Sequence, residues 1–273
     1  MEYATVLGVA LAAAREAVAI HAAHLGRVET DVWTAKGIAD FVTHVDREAE
    51  AAILARIRSA FPEHAVLAEE EATRDGAAGV VLPDAEWLWI VDPLDGTTNF
   101  LHRYPMYAVS IAAVHRGELV AGAVMSGATN ETWCAVRGGG AFKDGQRIHV
   151  SAIARLDLAL VGTGFPFKTV ERLPEYLAQF AAVLRSSSGI RRAGSAALDL
   201  CYVAMGSFDG FWELSLAPWD IAAGALIVRE AGGVVTRLDG KPEVLAPGGL
   251  LAGNPVIHAA LGGLLRDAVA ANA

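Results

Sequence analysis

Trp87-Leu-Trp-Ile-Val-Asp92-Pro-Leu-Asp95-Gly-Thr97-Thr-Asn-Phe100 is the stretch on which the reading of this chain turns. Trp87 to Val91 is apolar, aromatic and β-branched, and short enough for a buried strand. Pro93 fixes its own φ and pushes Asp92 towards an extended conformation, so the strand is expected to end at that acid. Gly96 permits a sharp turn, and Thr97 is expected to cap a following helix. Asp92 and Asp95 would then project from a strand end beside a helix N-terminus, a place suited to hard cations and to phosphate. Asp-Pro and Asp-Gly pairs also serve as plain turn chemistry, so the decision rests on whether other acids join them. The spacing weighs against one rival. Haloacid-dehalogenase-type phosphatases place a nucleophilic aspartate and its partner two positions apart; these stand three apart, which fits a metal-bridging pair better.

Working upstream, Ala65 to Ala68 reads as a short strand followed at once by Glu69, Glu70 and Glu71. Three adjacent acids ordinarily form a solvated turn, but pairing of the two strands would set Glu69 beside Asp92. Asp46 opens a helix that runs to Ala60 and stops before Phe61-Pro62, and a first-turn acid there is explained by the helix dipole. Thr34 to Thr43, with Lys36, Gly37 and Asp40, reads as a mobile polar loop or hairpin. Met1 to Ala23 is Ala-rich, yet Glu2 replaces the cationic start of a signal peptide and Arg15-Glu16 interrupt the apolar run. It is expected to be an amphipathic helix, neither export signal nor membrane span, and no other segment is long and apolar enough to cross a bilayer.

Downstream, Tyr107 to His115, Leu119 to Ser126 and Glu131 to Val136 read as an antiparallel meander. Gly138-Gly-Gly140 sits in a turn and lacks the Lys-Ser/Thr of a phosphate-binding loop. Around Ser151 to Asp157 the strand-rich part ends, which divides the chain into residues 1–150 and 151–273. The second part alternates strands at 158–163, 190–192 and 208–213 with helices at 171–184, 196–204 and 221–231. Glu213 is expected at a strand end. Pro218-Trp219-Asp220 opens the last of these helices and Gly232-Gly233 closes it. Asp220 has two readings. It is either a first-turn acid contributing about 0.3–1 kcal/mol through the dipole, or a carboxylate delivered from the second half to a metal held by Asp92 and Asp95.

Composition bounds the class. The 273 residues are 53% hydrophobic and 19% charged, with a mean hydropathy of +0.37, as for a compact globular protein. A net charge of −9 argues against broad nucleic-acid or anionic-membrane binding, and a negative protein handling phosphate needs cations at its site. Cys134 and Cys201 read as buried thiols of a reducing compartment, so a cytoplasmic location is expected.

Trp89-Ile-Val-Asp92-Pro-Leu-Asp95-Gly-Thr97-Thr-Asn-Phe100 resembles the first signature of the inositol monophosphatase family. Pro218-Trp219-Asp220-Ile-Ala-Ala-Gly224 through Glu230-Ala-Gly-Gly233 resembles the second, Leu67-Ala-Glu69-Glu70 the acidic pair, and Asp46 falls where the family keeps an aspartate. Gly164-Phe-Pro-Phe167 and Arg191-Arg-Ala-Gly194-Ser-Ala-Ala197 resemble the bacterial inositol monophosphatase branch, and the likeness runs from about Lys36 to Gly253.

The resemblance implies a layered αβαβα sandwich of the inositol monophosphatase and fructose-1,6-bisphosphatase type. It also implies a Mg²⁺-dependent, lithium-sensitive phosphomonoesterase, usually a homodimer. Glu69 and Asp92, with the Leu94 carbonyl, would hold one Mg²⁺; Asp92, Asp95 and Asp220 would hold a second; a third, weaker ion would sit near Glu69. Such ions activate a water for direct attack on phosphorus, without a phosphoenzyme. Thr97, paired with Asp46 and near Glu70, would orient that water. Asp95, Gly96, Thr97, the Gly194-Ser195-Ala196 segment and Glu213 would contact the substrate, and Lys36 would belong to a mobile loop over the site. The expected substrate is myo-inositol 1-phosphate. Histidinol phosphate, fructose 1,6-bisphosphate and 3′-phosphoadenosine 5′-phosphate are alternatives on the same core. The alternative of another class is a binding protein for nucleic acid or transcription machinery, with Arg185, Arg191 and Arg192 as its basic cluster.

Overall fold

The computed structural model describes residues 2–28, 34–37, 40–73, 81–167, 169–246 and 248–271, with the backbone alone for 34–37 and 40–42. In α1 (Tyr3–His24), Val6, Ala10, Ala13, Ala14, Ala17, Val18 and His21 recur at helical spacing and are buried. Length and hydropathy alone would let this helix cross a membrane, but its apolar stripe packs in the core. The next segment is a hairpin, β1 (Thr34–Gly37) against β2 (Asp40–Val42). In α2 (His44–Ala60), Thr43 caps the helix by accepting from the Val45 N–H at 3.1 Å. Asp46 reaches back to the Thr43 N–H at 2.8 Å, so it completes the first turn and does not open the helix.

β3 (Ala65–Ala68) leads into a short helix, α3 (Glu69–Thr73), so the three acids form a helical turn in which Glu70 is buried. β3 pairs in parallel with β4 (Trp87–Asp95), Ala68 opposite Val91, which brings Glu69 alongside Asp92 as expected. β4 does not stop at Asp92. It continues through Pro93 to Asp95, and the ladder to β5 (Ala108–His115) slips between Asp92 and Asp95. Pro93 has no N–H to give and is tolerated where the register breaks. Gly96, at φ +89°, turns the chain into α4 (Thr97–Leu101); Gly96 is the cap, and Thr97 is the first helical residue.

β5, β6 (Glu118–Ser126), β7 (Thr132–Val136), β8 (Gly140–Lys143) and β9 (Gln146–Ile148) follow as the expected meander, giving a seven-stranded sheet in the order β3 to β9. At one edge the rings of Phe61, His64, Trp87 and His115 stack in a column with centroid spacings of 4.6, 5.0 and 4.1 Å.

The remaining elements are β10 (Leu160–Thr163), α5 (Leu173–Ser186), β11 (Gly189–Arg191), α6 (Ala196–Ala204), β12 (Gly210–Leu216), α7 (Pro218–Glu230), β13 (Val234–Arg237), β14 (Gly248–Gly253) and α8 (Pro255–Ala270). Their strands form a five-stranded sheet ordered β11-β10-β12-β14-β13, in which β10 lies parallel to β11 and β12. Glu213 lies inside β12, opposite Leu250, and not at its end; the ladder becomes irregular between it and Leu216.

Helices α1 and α2 cover the outer face of the large sheet, α6 and α7 fill the space between the sheets, and α5 and α8 cover the small sheet. This is the five-layered αβαβα sandwich. Successive residues of β4 serve different cores. Trp89 and Val91 pack towards α1 and α2, whereas Leu88 and Ile90 join Leu198, Leu200, Phe211, Leu226 and Leu250 in the core between the sheets. Both faces are therefore apolar, which is why the strand reads as a continuous run. α7 lies between two sheets and is buried without interruption from Ile221 to Val228.

Candidate active site

Where β3 and β4 end against the first turn of α7, a cavity of about 420 Å³ opens, lined among others by Glu69, Asp92, Leu94, Asp95, Thr97 and Asp220. Carboxylate oxygens of Asp92, Asp95 and Asp220 lie within 4.8 Å of one another. Asp92 is fully buried, and burial, then the charges of Glu69, Asp95 and Asp220, push its carboxyl well above the ordinary aspartate range. The Leu94 N–H, 2.9 Å from Asp92 Oδ1, opposes that shift. Burial raises Asp95 to about 6, against hydrogen bonds to its Oδ2 from Ser195 Oγ (2.6 Å) and the Ala197 N–H (2.8 Å). Like charges held this close require a counter-charge. An all-oxygen donor set with no soft ligand fits a hard divalent cation. Asp220 is a first-turn acid of α7 and also stands close to Asp92 and Asp95. Its Oδ2 accepts the Ala217 N–H at 2.7 Å, bracing the first turn of α7, while the residue belongs to the trio.

Behind the acids stands a second line. Thr97 Oγ1 lies 3.0 Å from Asp46 Oδ1 and 3.1 Å from the Leu94 carbonyl, so its one proton has two acceptors. Asp46 is buried, and its Oδ2 accepts from Thr43 N (2.8 Å) and Thr43 Oγ1 (2.6 Å); it touches the site through Thr97. Glu70 is buried in α3 rather than lining the cavity, and its N–H donates to Glu50 Oε2 at 2.7 Å. The Glu71 N–H donates to Glu50 Oε1 at 3.0 Å, so Glu50 clamps the start of α3. Burial raises the Glu50 carboxyl to about 7. Sequence reasoning missed Glu50, although Val45, Asp46, Ala49, Glu50 and Ile53 form one buried helical stripe, in which a second acid stands out. The Lys36 side chain lies outside the described residues.

The opposite wall comes from the second sheet. Ser195 caps α6, and the Gly194–Ala196 segment lines the cavity. Asn99 Nδ2 donates towards the carbonyls of Ala193 (3.0 Å) and Gly194 (3.2 Å) and to that of Met106 (2.6 Å), tying that segment to the chain before β5, a role the sequence did not suggest. The Glu213 carboxylate lies against Gly164, where a Cβ would approach it to 2.0–2.2 Å. Among the described residues, Arg192 is the one Lys or Arg on the cavity wall, and its guanidinium sits 5.0 Å from the Phe165 ring and 5.1 Å from that of Phe167. Asp199, buried in α6, also reaches the wall.

The cavity and its acids can be set beside known proteins. A model of the inositol monophosphatase family matches residues 2–270. The Nus factor SuhB of Pseudomonas aeruginosa is 44% identical over 257 residues, covering 93% of each chain. An inositol-1-monophosphatase of Mesorhizobium japonicum is 42% identical over 261 residues, covering 96% of each. The solved inositol monophosphatase of Anabaena (Nostoc) sp. PCC 7120 superposes with a TM-score of 0.84 at 37% identity, covering 96% of both chains. With that match over the whole length and the five-layered architecture, the chain belongs to the inositol monophosphatase family.

Proposed function

We propose that this protein is a Mg²⁺-dependent phosphomonoesterase whose substrate is myo-inositol 1-phosphate. The family is one of metal-dependent phosphatases, and the observation that supports the reading here is the Asp92–Asp95–Asp220 trio within 4.8 Å. Glu69 and Asp92, with the Leu94 carbonyl, would hold one Mg²⁺; Asp92, Asp95 and Asp220 would hold a second, and a third would sit near Glu69. Bound there, the ions supply positive charge to the phosphoryl and leaving oxygens and lower the pKa of water. Thr97 Oγ1, its proton drawn towards Asp46 Oδ1 at 3.0 Å, offers a lone pair to the attacking water and orients it. Thr43 keeps Asp46 in position through its N–H and hydroxyl. Ser195 and the Ala197 N–H fix Asp95, and Glu213 accepts hydroxyls of the polyol.

Phosphate release with Mg²⁺ across inositol 1-phosphate, histidinol phosphate, fructose 1,6-bisphosphate and 3′-phosphoadenosine 5′-phosphate tests the reading. Inositol 1-phosphate is expected to show the highest kcat/KM. Preference for another ester keeps the chemistry and replaces the substrate, whereas no release from any ester removes the phosphatase reading. A second reading, a binding role towards nucleic acid or transcription machinery, has in its favour the name Nus factor carried by the Pseudomonas relative and the exposed Arg185 and Arg191. A turnover-dead variant that keeps its cellular phenotype would support it. A homodimer in the cytoplasm completes the proposal, with sedimentation as the check on assembly.

A further inference from the structure

Asp199 is the one acid in α6, whose other residues are Ala, Leu, Cys, Tyr and Val. It is only 1% exposed, it lines the cavity, and among the described residues its Oδ1 has no hydrogen-bond partner. A buried carboxyl oxygen left unmatched costs about 1–3 kcal/mol, so this position is incomplete without a polar ligand. Its surroundings say which kind. Burial, then Glu213 and Asp95, push the Asp199 carboxyl well above the ordinary range, with Arg192 opposing. A carboxyl that keeps its proton can both donate and accept, as a sugar hydroxyl can. An anionic group would face the Glu213 carboxylate, and an apolar one would leave Oδ1 unmatched. A hydroxyl-bearing group satisfies both acids.

We infer that Asp199 is a specificity-determining residue that hydrogen-bonds a hydroxyl on the alcohol half of a polyol phosphate, beside the hydroxyls taken by Glu213. The phosphoryl group would be held through cations at Asp92, Asp95 and Asp220, so Asp199 reads the alcohol and takes no part in the displacement. The inference rests on the phosphomonoesterase reading above.

The test compares two esters with the full-length Mg²⁺ enzyme: myo-inositol 1-phosphate, rich in hydroxyls, and 4-nitrophenyl phosphate, which has none. Asp199→Ala is expected to lower the ratio of their kcat/KM values about ten- to hundredfold, mostly through KM for the inositol ester. Asp199→Asn keeps a donor and an acceptor and should restore most of that ratio. If Asp199→Ala does not fold, as read from its thermal melt, the apolar and bulkier Asp199→Leu serves for the same comparison. An unchanged ratio overturns the inference, because a purely structural role lowers both activities alike. So does failure of Asp199→Asn to restore the ratio, or a wild-type preference for an ester without free hydroxyls such as histidinol phosphate. A wild type inert towards every ester removes the phosphatase reading itself, before any variant is made.

Discussion

At Asp92 three demands meet: it is buried, it neighbours three other acids, and it ends the regular part of a strand. The Leu94 N–H is the donor that opposes its repulsion, so neutralising the side chain removes charge without removing shape. Asp92→Asn is therefore expected to fold and to lose Mg²⁺-dependent phosphate release by a factor of about 10³ or more. Near-normal turnover in that variant would sink the metal assignment. Thr97 acts through its hydroxyl, held between Asp46 and the Leu94 carbonyl. Thr97→Val should lower kcat about 10²-fold with little change in KM, and Thr97→Ser should recover most of it. Activity kept by Thr97→Val and lost by Thr97→Ser would show that the methyl group, and not the hydroxyl, matters.

At the scale of elements, the site depends on how α2 meets α3. Glu50 takes the N–H groups of Glu70 and Glu71 and so fixes the turn that presents Glu69. Glu50→Ala should lower stability by about 1–2 kcal/mol, as loss of a helix cap does, and should raise the Mg²⁺ concentration needed for half-maximal activity. Chemical denaturation and a Mg²⁺ titration read the two effects separately; an unchanged Mg²⁺ requirement would reduce Glu50 to a structural brace. The sequence announced Glu69, Asp92, Asp95 and Asp220 because each stands in a short motif at an element's end. It did not announce Glu50, whose partner Glu70 lies 20 positions away, Asn99, two of whose three acceptors lie 94 and 95 positions away, or Asp199, whose burial is set by the packing of α6. Nor did it show β4 passing Pro93, because the slip is set by the pairing with β5 and not by local preference. Glu213 was misplaced for the same reason: the end of β12 is fixed by β14.

For the molecule as a whole, the two sheets share one core, in which Leu88 and Ile90 of the first meet Phe211 and Leu250 of the second. Residues 1–150 and 151–273 should therefore unfold in a single calorimetric transition, and two resolved peaks would mark them as independent units. Acid resistance is a balance of opposed groups. His21 is buried beside Phe100 and Tyr107, and burial lowers its pKa from 6.5 to about 4, the Pro93 carbonyl opposing. Its unfolded form binds a proton that the folded form refuses, so its contribution to stability is lost as pH falls from 6.5 through 4. Asp95 and Glu50, raised by burial to about 6 and 7, act in the other sense, since acid removes the charge that burial disfavours. Comparison with His21→Leu isolates the histidine. Between pH 7 and pH 4 the difference in unfolding free energy should move against the wild type by up to roughly 3 kcal/mol. A constant difference would mean that the ring keeps its proton in the fold.

The ring column at the edge of the large sheet has an optical consequence. Trp87 stands face to face with His64 on one side and His115 on the other. An excited indole passes an electron to a protonated imidazole more readily than to a neutral one, so its emission dims as a neighbouring ring takes up a proton. Burial and the nearby His115 hold His64 below the usual imidazole range, so dimming from that face sets in at lower pH. Trp212, buried in the other sheet, stacks on Tyr176 rather than on an imidazole. The protein thus contains its own fluorescent gauge of that one edge, readable without a label.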